Sequence, residues 1–69
     1  MRVPFSEVFD TTGGRIRPKV SVKIGIATMS PSGSMSPSAI VSGVNLGALV
    51  GHDLEVEQDG QVLVLKGNY

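Results

Sequence analysis

From Arg15 onward, Ile16, Pro18, Val20, Val22, Ile24 and Ile26 alternate with Arg15, Arg17, Lys19, Ser21, Lys23, Gly25 and Ala27. A period of two over this length predicts a β-strand with one buried and one solvated face. Pro18 has no N–H to give a ladder, so the regular strand is expected to start at Lys19 or to have an open edge there. A second alternation fills the C-terminal part: Leu54-Glu55-Val56-Glu57-Gln58, then Asp59-Gly60, then Gln61-Val62-Leu63-Val64-Leu65-Lys66. Asp-Gly between apolar runs predicts a hairpin with a two-residue type I′ turn. That turn would set Gln58 opposite Gln61, Val56 opposite Leu63, Leu54 opposite Leu65 and Asp53 opposite Lys66. Leu54, Val56, Leu63 and Leu65 would then share the core face. Residues 61–66 are apolar on both faces, which predicts a neighbouring strand on each side. The 19–27 strand is the expected second neighbour, with its lysines near Glu55 and Glu57.

The remaining segments are less regular. Phe5, Val8 and Phe9 stand at i, i+3 and i+4 behind Pro4, a residue suited to a first helical position. The same residues also fit an edge strand entering a hairpin at Thr11-Thr12-Gly13-Gly14, so helix and strand stay open for residues 4–10. Residues 29–38 read Met-Ser-Pro-Ser twice, separated by Gly33-Ser34, and predict a flexible loop. Ala39–Val44 offers a short uncharged strand. Asn45 is placed to cap one turn over residues 46–50, closed by a left-handed Gly51. The expected fold is mainly β: a small antiparallel sheet or partly open barrel of about four strands, with short helical turns at the N-terminus and before the C-terminal hairpin.

Length bounds this picture. Sixty-nine residues make one small domain, and a chain of that size buries only about 60% of the surface it exposes when unfolded. Disulfides cannot reinforce it, because there is no cysteine. A structural zinc is disfavoured with His52 as the sole soft ligand. Self-association, or a marginal monomer, remains for so thin a core. No charged side chain lies between Ile24 and Gly51, yet that stretch holds two prolines, six serines and five glycines and no apolar run long enough to span a membrane. Glu7 and Asp10 interrupt any apolar leader after Arg2, so no signal peptide is predicted and the expected localisation is cytoplasmic.

Charge is balanced overall but unevenly placed. Residues 1–23 carry five basic and two acidic side chains, a net +3; residues 52–69 carry one basic and four acidic, a net −3. Basic and acidic strands side by side in one sheet would explain the split, and head-to-tail contact between molecules is the alternative. Arg15, Arg17, Lys19 and Lys23 share one strand face in this reading and form a candidate anion-binding row. Zero net charge, four acids in the hairpin and three aromatics argue against nucleic acid as the ligand. The neutral stretch supplies the other candidate, an interaction surface at Met29, Met35, Ile40 and Val41. Serines lie in a loop with no base in view, and on an extended strand His52 would face away from Asp53 and Glu55. No catalytic residue, metal or cofactor is therefore expected.

Ser21-Val22-Lys23-Ile24-Gly25, Gly43-Val44-Asn45-Leu46, Asp53-Leu54-Glu55-Val56-Glu57 and Leu65-Lys66-Gly67-Asn68-Tyr69 together resemble short uncharacterised proteins of Gram-negative bacteria. The resemblance covers about the last fifty residues and implies a free-standing small protein of the bacterial cytoplasm. It implies no activity, cofactor or functional residue. The leading functional expectation is a non-enzymatic interaction or structural module, self-associating or bound to another protein. The alternative is a weak anion or single-stranded nucleic-acid binder acting through the basic face.

Overall fold

The computed structural model describes residues 1–69. Its organising element is a five-stranded sheet made of β1 (Arg2–Pro4), β4 (Ser21–Ile24), β5 (Ala27–Met29), β8 (Asp53–Asp59) and β9 (Val62–Asn68), in the order β1-β8-β9-β4-β5. As its two apolar faces require, β9 has a neighbour on each side. The neighbour opposite β8 is β4, within the 19–27 segment, but the two run parallel, with Ser21, Val22 and Lys23 beside Val62, Leu63 and Val64. The sheet is therefore mixed and open. One face carries Val22, Ile24, Leu54 and Val56, all buried, with Val3, Met29, Leu63 and Leu65 packed against them.

Short segments cover that face. A single helical turn, α1 (Phe5–Val8), follows β1 and buries Phe5 and Val8. Residues 4–10 thus use both of the open alternatives: strand, one turn of helix, then β2 (Phe9–Asp10). Phe5 and Phe9 stack with ring centroids 4.9 Å apart. β2 pairs with β3 (Arg17–Pro18) across the Thr11–Gly14 turn, setting Phe9 opposite Pro18 and Asp10 opposite Arg17. Ile16, Leu46 and Leu49 complete a core of ten residues.

The expected single strand over 15–27 is three pieces. The chain bends at Lys19 and Val20, between β3 and β4, after Lys19 N–H has closed the β2–β3 ladder on the Val8 carbonyl at 2.8 Å. Beyond them the chain reverses at Gly25-Ile26 into the β4–β5 hairpin. Ile16, Pro18, Val22 and Ile24 are buried as the alternation requires, whereas Val20 is exposed and Ile26, at the turn, is 98% exposed. The C-terminal hairpin forms with a different register. Its loop is Gly60-Gln61, so that Asp59 faces Val62, Val56 faces Leu65 and, past a bulge between Glu55 and Val56, Leu54 faces Asn68. Gly60 takes φ 63° and Gln61 does not have a positive φ, which matches a type II′ rather than a type I′ turn. The I′ pattern occurs instead at Ser42-Gly43, with φ of 49° and 79°, joining β6 (Ile40–Val41) to β7 (Val44–Asn45).

The Ser/Pro segment holds two copies of one turn. Gly33 N–H donates to the Ser30 carbonyl at 3.1 Å and Ala39 N–H to the Ser36 carbonyl at 3.0 Å. Within them Ser30 and Ser32 join through their hydroxyls at 2.8 Å, and Ser36 and Ser38 at 2.9 Å. Between the turns Met35 exchanges two backbone hydrogen bonds with Ile16, at 2.8 and 2.9 Å. Asn45 Oδ1 accepts from Gly47 N–H at 3.1 Å, capping a 3₁₀ turn over Leu46–Leu49, and Gly51 is left-handed with φ 84°. Gly47 lies under the second Ser/Pro turn, where a Cβ would overlap the Pro37 carbonyl oxygen.

Both chain ends meet at β8. The Met1 ammonium donates to Glu55 and, at 2.8 Å, to the Val56 carbonyl. Arg2 Nε donates to Asp53 at 2.8 Å while its guanidinium lies 4.1 Å above the Tyr69 ring. The Tyr69 hydroxyl donates to Glu55. The ammonium and the tyrosine hydroxyl together hold the Glu55 carboxyl below its ordinary value of 4.5.

Two outcomes follow from these contacts. Gly47→Ala lowers unfolding free energy by about 1–3 kcal/mol, because a backbone carbonyl must move; Gly67→Ala, where a Cβ meets nothing within 4 Å, stays within about 0.5 kcal/mol of wild type. Urea titration of both variants checks this. Glu55 is ionised more readily folded than unfolded, so its stabilisation is present above pH 4.5 and is lost as pH falls through the lowered folded value. Glu55→Gln is accordingly less stable than wild type at pH 7, and the two stability curves converge in acid, read by thermal melts across pH.

Candidate functional site

Two regions bring together side chains that the fold does not use. The first lies where two hairpin tips meet. Gly25, in the β4–β5 turn, approaches Ser42, in the β6–β7 turn, so closely that a Cβ at Gly25 would sit 2.7 Å from the Ser42 Cβ. Ile26 projects fully from one tip and Ile40 is 68% exposed beside the other. Of the four residues expected to form an interaction surface, only Ile40 faces out. Met29, Met35 and Val41 pack against the core, because a thin core recruits the long thioethers as filler. Ile26 was assigned to the buried face by the alternation. The signal that could have corrected this is the glycine just before it, which permits a reversal.

Beside the tips runs β5, the last strand of the sheet. A two-residue turn makes Ile24 and Ala27 a hydrogen-bonded pair, so the next pair, Lys23 and Thr28, is not hydrogen-bonded. The N–H and C=O of Thr28 therefore point away from β4, along the open edge. The opposite edge is β1, which carries Arg2 and Pro4. Charge and proline are the usual guards of an edge; Ala27, Thr28 and Met29 provide neither.

The second region is basic. Arg15, Arg17, Lys19 and Lys23 are all exposed, but they do not form one row. Arg17 is in β3, Lys19 in the break after Pro18, and Lys23 in β4 on the open sheet face. Arg15 and Arg17 instead converge on a cleft of about 320 Å³ whose other walls are Asp10, Thr12, Gly13 and Ser34, without one hydrophobic side chain. Arg15 Nε donates to Ser34 Oγ at 3.0 Å and Nη2 to the Ser34 carbonyl at 3.4 Å. Asp10 accepts from Thr12 Oγ1 at 2.7 Å and Thr12 N–H at 3.0 Å. Those two bonds, aided by Lys19 and Arg17, hold its carboxyl below the ordinary value.

The expected pairing of basic and acidic ends is realised only in part. Ion pairs join Met1 to Glu55, Arg2 to Asp53 and Lys66 to Glu57. None of the four cations of the 15–23 segment has a carboxylate partner within 4 Å. Their distance from the hairpin acids follows from strand order: β9 separates β4 from β8, so Lys23 and Glu57 sit two strand spacings apart, roughly 10 Å.

His52, at the entry to β8, gives a hydrogen bond from Nδ1 to the Tyr69 main-chain oxygen at 2.9 Å; that oxygen accepts, so Nδ1 carries the proton. No three of the His, Asp and Glu side chains gather as a metal site. No helix is long and apolar enough to cross a membrane. No protein family, curated protein or solved structure matches the chain.

Proposed function

We propose that the chain is a small non-enzymatic interaction module that self-associates by pairing β5 with the β5 strand of a second copy. The observation that carries this is the unguarded β5 edge, with the outward N–H and C=O of Thr28 beside the fully exposed Ile26. Addition of a strand to an open edge satisfies backbone groups of both partners at once. A two-fold antiparallel pair sets each edge against itself, so any charge on the strand would meet its own kind. Residues 24–30, Ile-Gly-Ile-Ala-Thr-Met-Ser, have no charge and no proline, which removes that obstacle. Pairing would join two five-stranded sheets into one and cover Ile26. It would also reinforce a core of only ten residues. The short length of β5 remains a partial guard, which makes the expected association reversible and dependent on concentration.

Light scattering on a sizing column at millimolar concentration tests this. Wild type should run at twice its 7.2 kDa, equally at low and high salt. Thr28→Pro removes an outward N–H without touching the β4 ladder and should give a monomer. Ile26→Lys changes a side chain that contacts no core residue, so it stays folded and should also give a monomer. A monomeric wild type would refute the reading. A dimer that dissociates in salt would refute it too, placing the contact at the +3 and −3 ends.

A further inference from the structure

The cleft between the Thr11–Gly14 turn and the Ser/Pro segment takes no part in β5 pairing. We propose that it binds a phosphoryl group of a small phosphorylated molecule through Arg15, Arg17 and Ser34. Three observations carry this. First, Arg15 and Arg17 line the cleft, and neither is within 4 Å of a carboxylate, although three other ion pairs form in the molecule. Second, Arg15 is held rather than free: its Nε and Nη2 are fixed on Ser34. A guanidinium has five N–H donors, so those on the far side remain for a ligand. Third, Ser34 Oγ accepts from Arg15, which leaves its own hydrogen to donate. Planar forks and a hydroxyl converging on one polar hollow suit an anion with several acceptor oxygens. The absence of any hydrophobic wall disfavours an apolar ligand.

Asp10 is the opposing element. It lies directly across the β2–β3 ladder from Arg17, and its carboxylate is turned onto Thr12 by two hydrogen bonds. It contributes one negative charge against the positive charges of Arg15, Arg17 and nearby Lys19. The site therefore stays net positive but binds weakly, and the Asp10 charge works against the ligand. That sets a test in which two substitutions move affinity in opposite directions.

Inorganic phosphate is the probe, titrated into the ¹⁵N-labelled full chain against sodium chloride at matched ionic strength. Amide shifts that saturate at Thr12, Gly13, Arg15 and Ser34, with an apparent Kd on the order of 1 mM, are expected. Arg17→Gln should weaken binding by about tenfold, the worth of one hydrogen bond to a charged group. Asp10→Asn keeps Oδ1 as acceptor for Thr12 while removing the charge, and should tighten binding by roughly threefold. Arg2→Gln, remote from the cleft, should leave it unchanged. Because Arg17 holds no structural hydrogen bond of its own side chain, its variant remains folded even if changes at Arg15 loosen the Ser34 segment. Shifts that are diffuse or never saturate would overturn the proposal. So would equal binding by wild type and Arg17→Gln, or weaker binding by Asp10→Asn. A single-stranded oligonucleotide that binds where phosphate does not would overturn it as well, in favour of contacts spread over all four cations.

Discussion

Everything in this fold hangs on the burial of β9 between two strands. Val62-Leu63-Val64-Leu65 is apolar on both faces, and a strand of that kind cannot be left at an edge. β8 satisfies one side through the hairpin. The other side is taken by β4, parallel to β9, and a parallel partner cannot be reached by a tight turn. The chain between Ile24 and Asp53 must make the return, and on the way it covers the sheet face holding Val22, Ile24, Leu54 and Val56. This explains why the uncharged middle of the sequence is irregular yet apolar. It is the lid of the core, built from β6–β7, the Leu46–Leu49 turn and the methionines flanking the first Ser/Pro turn.

The tandem Met-Ser-Pro-Ser repeat fits that role. Each copy places its methionine against the core and then turns outward through Ser-Pro-Ser. The repeat was visible in the sequence, and its loop character was legible from proline and serine. What was not legible is the fastening of Met35 to Ile16, a pairing of residues nineteen positions apart with no local signal. The cleft beside Arg15 depends on that fastening, because Ser34 is brought to the arginine by the same segment. The gathering of Arg15, Arg17 and Ser34 therefore could not be read from spacing, although the two arginines could.

Local chemistry was a better guide to where the chain turns than to which residues occupy each turn. The Asn45 cap and left-handed Gly51 are short-range effects and occur as expected. The C-terminal register is different. A shift of two residues leaves every side chain on its original face, so the apolar pattern could not choose between Leu63 and Leu65 as the partner of Val56. The two loops differ in their backbone demands: Gly60-Gln61 places positive φ at glycine alone, whereas a type I′ turn at Asp59-Gly60 requires it at both residues. Ser42-Gly43 accepts that demand, and there the two tips are pressed together at Gly25. In the same way Pro18 signalled a break, while Gly25-Ile26 was hidden inside an unbroken alternation.

The two ends of the sheet are treated unequally, and the charge distribution follows from it. At β1 the Met1 ammonium, Arg2, Asp53, Glu55 and Tyr69 form one connected cluster. It consumes two of the four acids that gave the C-terminal part its net negative charge, and Lys66 engages a third. The acids needed to neutralise residues 15–23 are thus committed elsewhere, on strands that β9 keeps away from β4. A chain with no net charge consequently retains an unpaired basic group on one side. β1 is guarded against strand addition, since an incoming strand would meet Arg2 and Pro4. Closing one edge leaves β5 as the sheet's open end, which gives any association through this sheet a single direction and lets it stop at two copies.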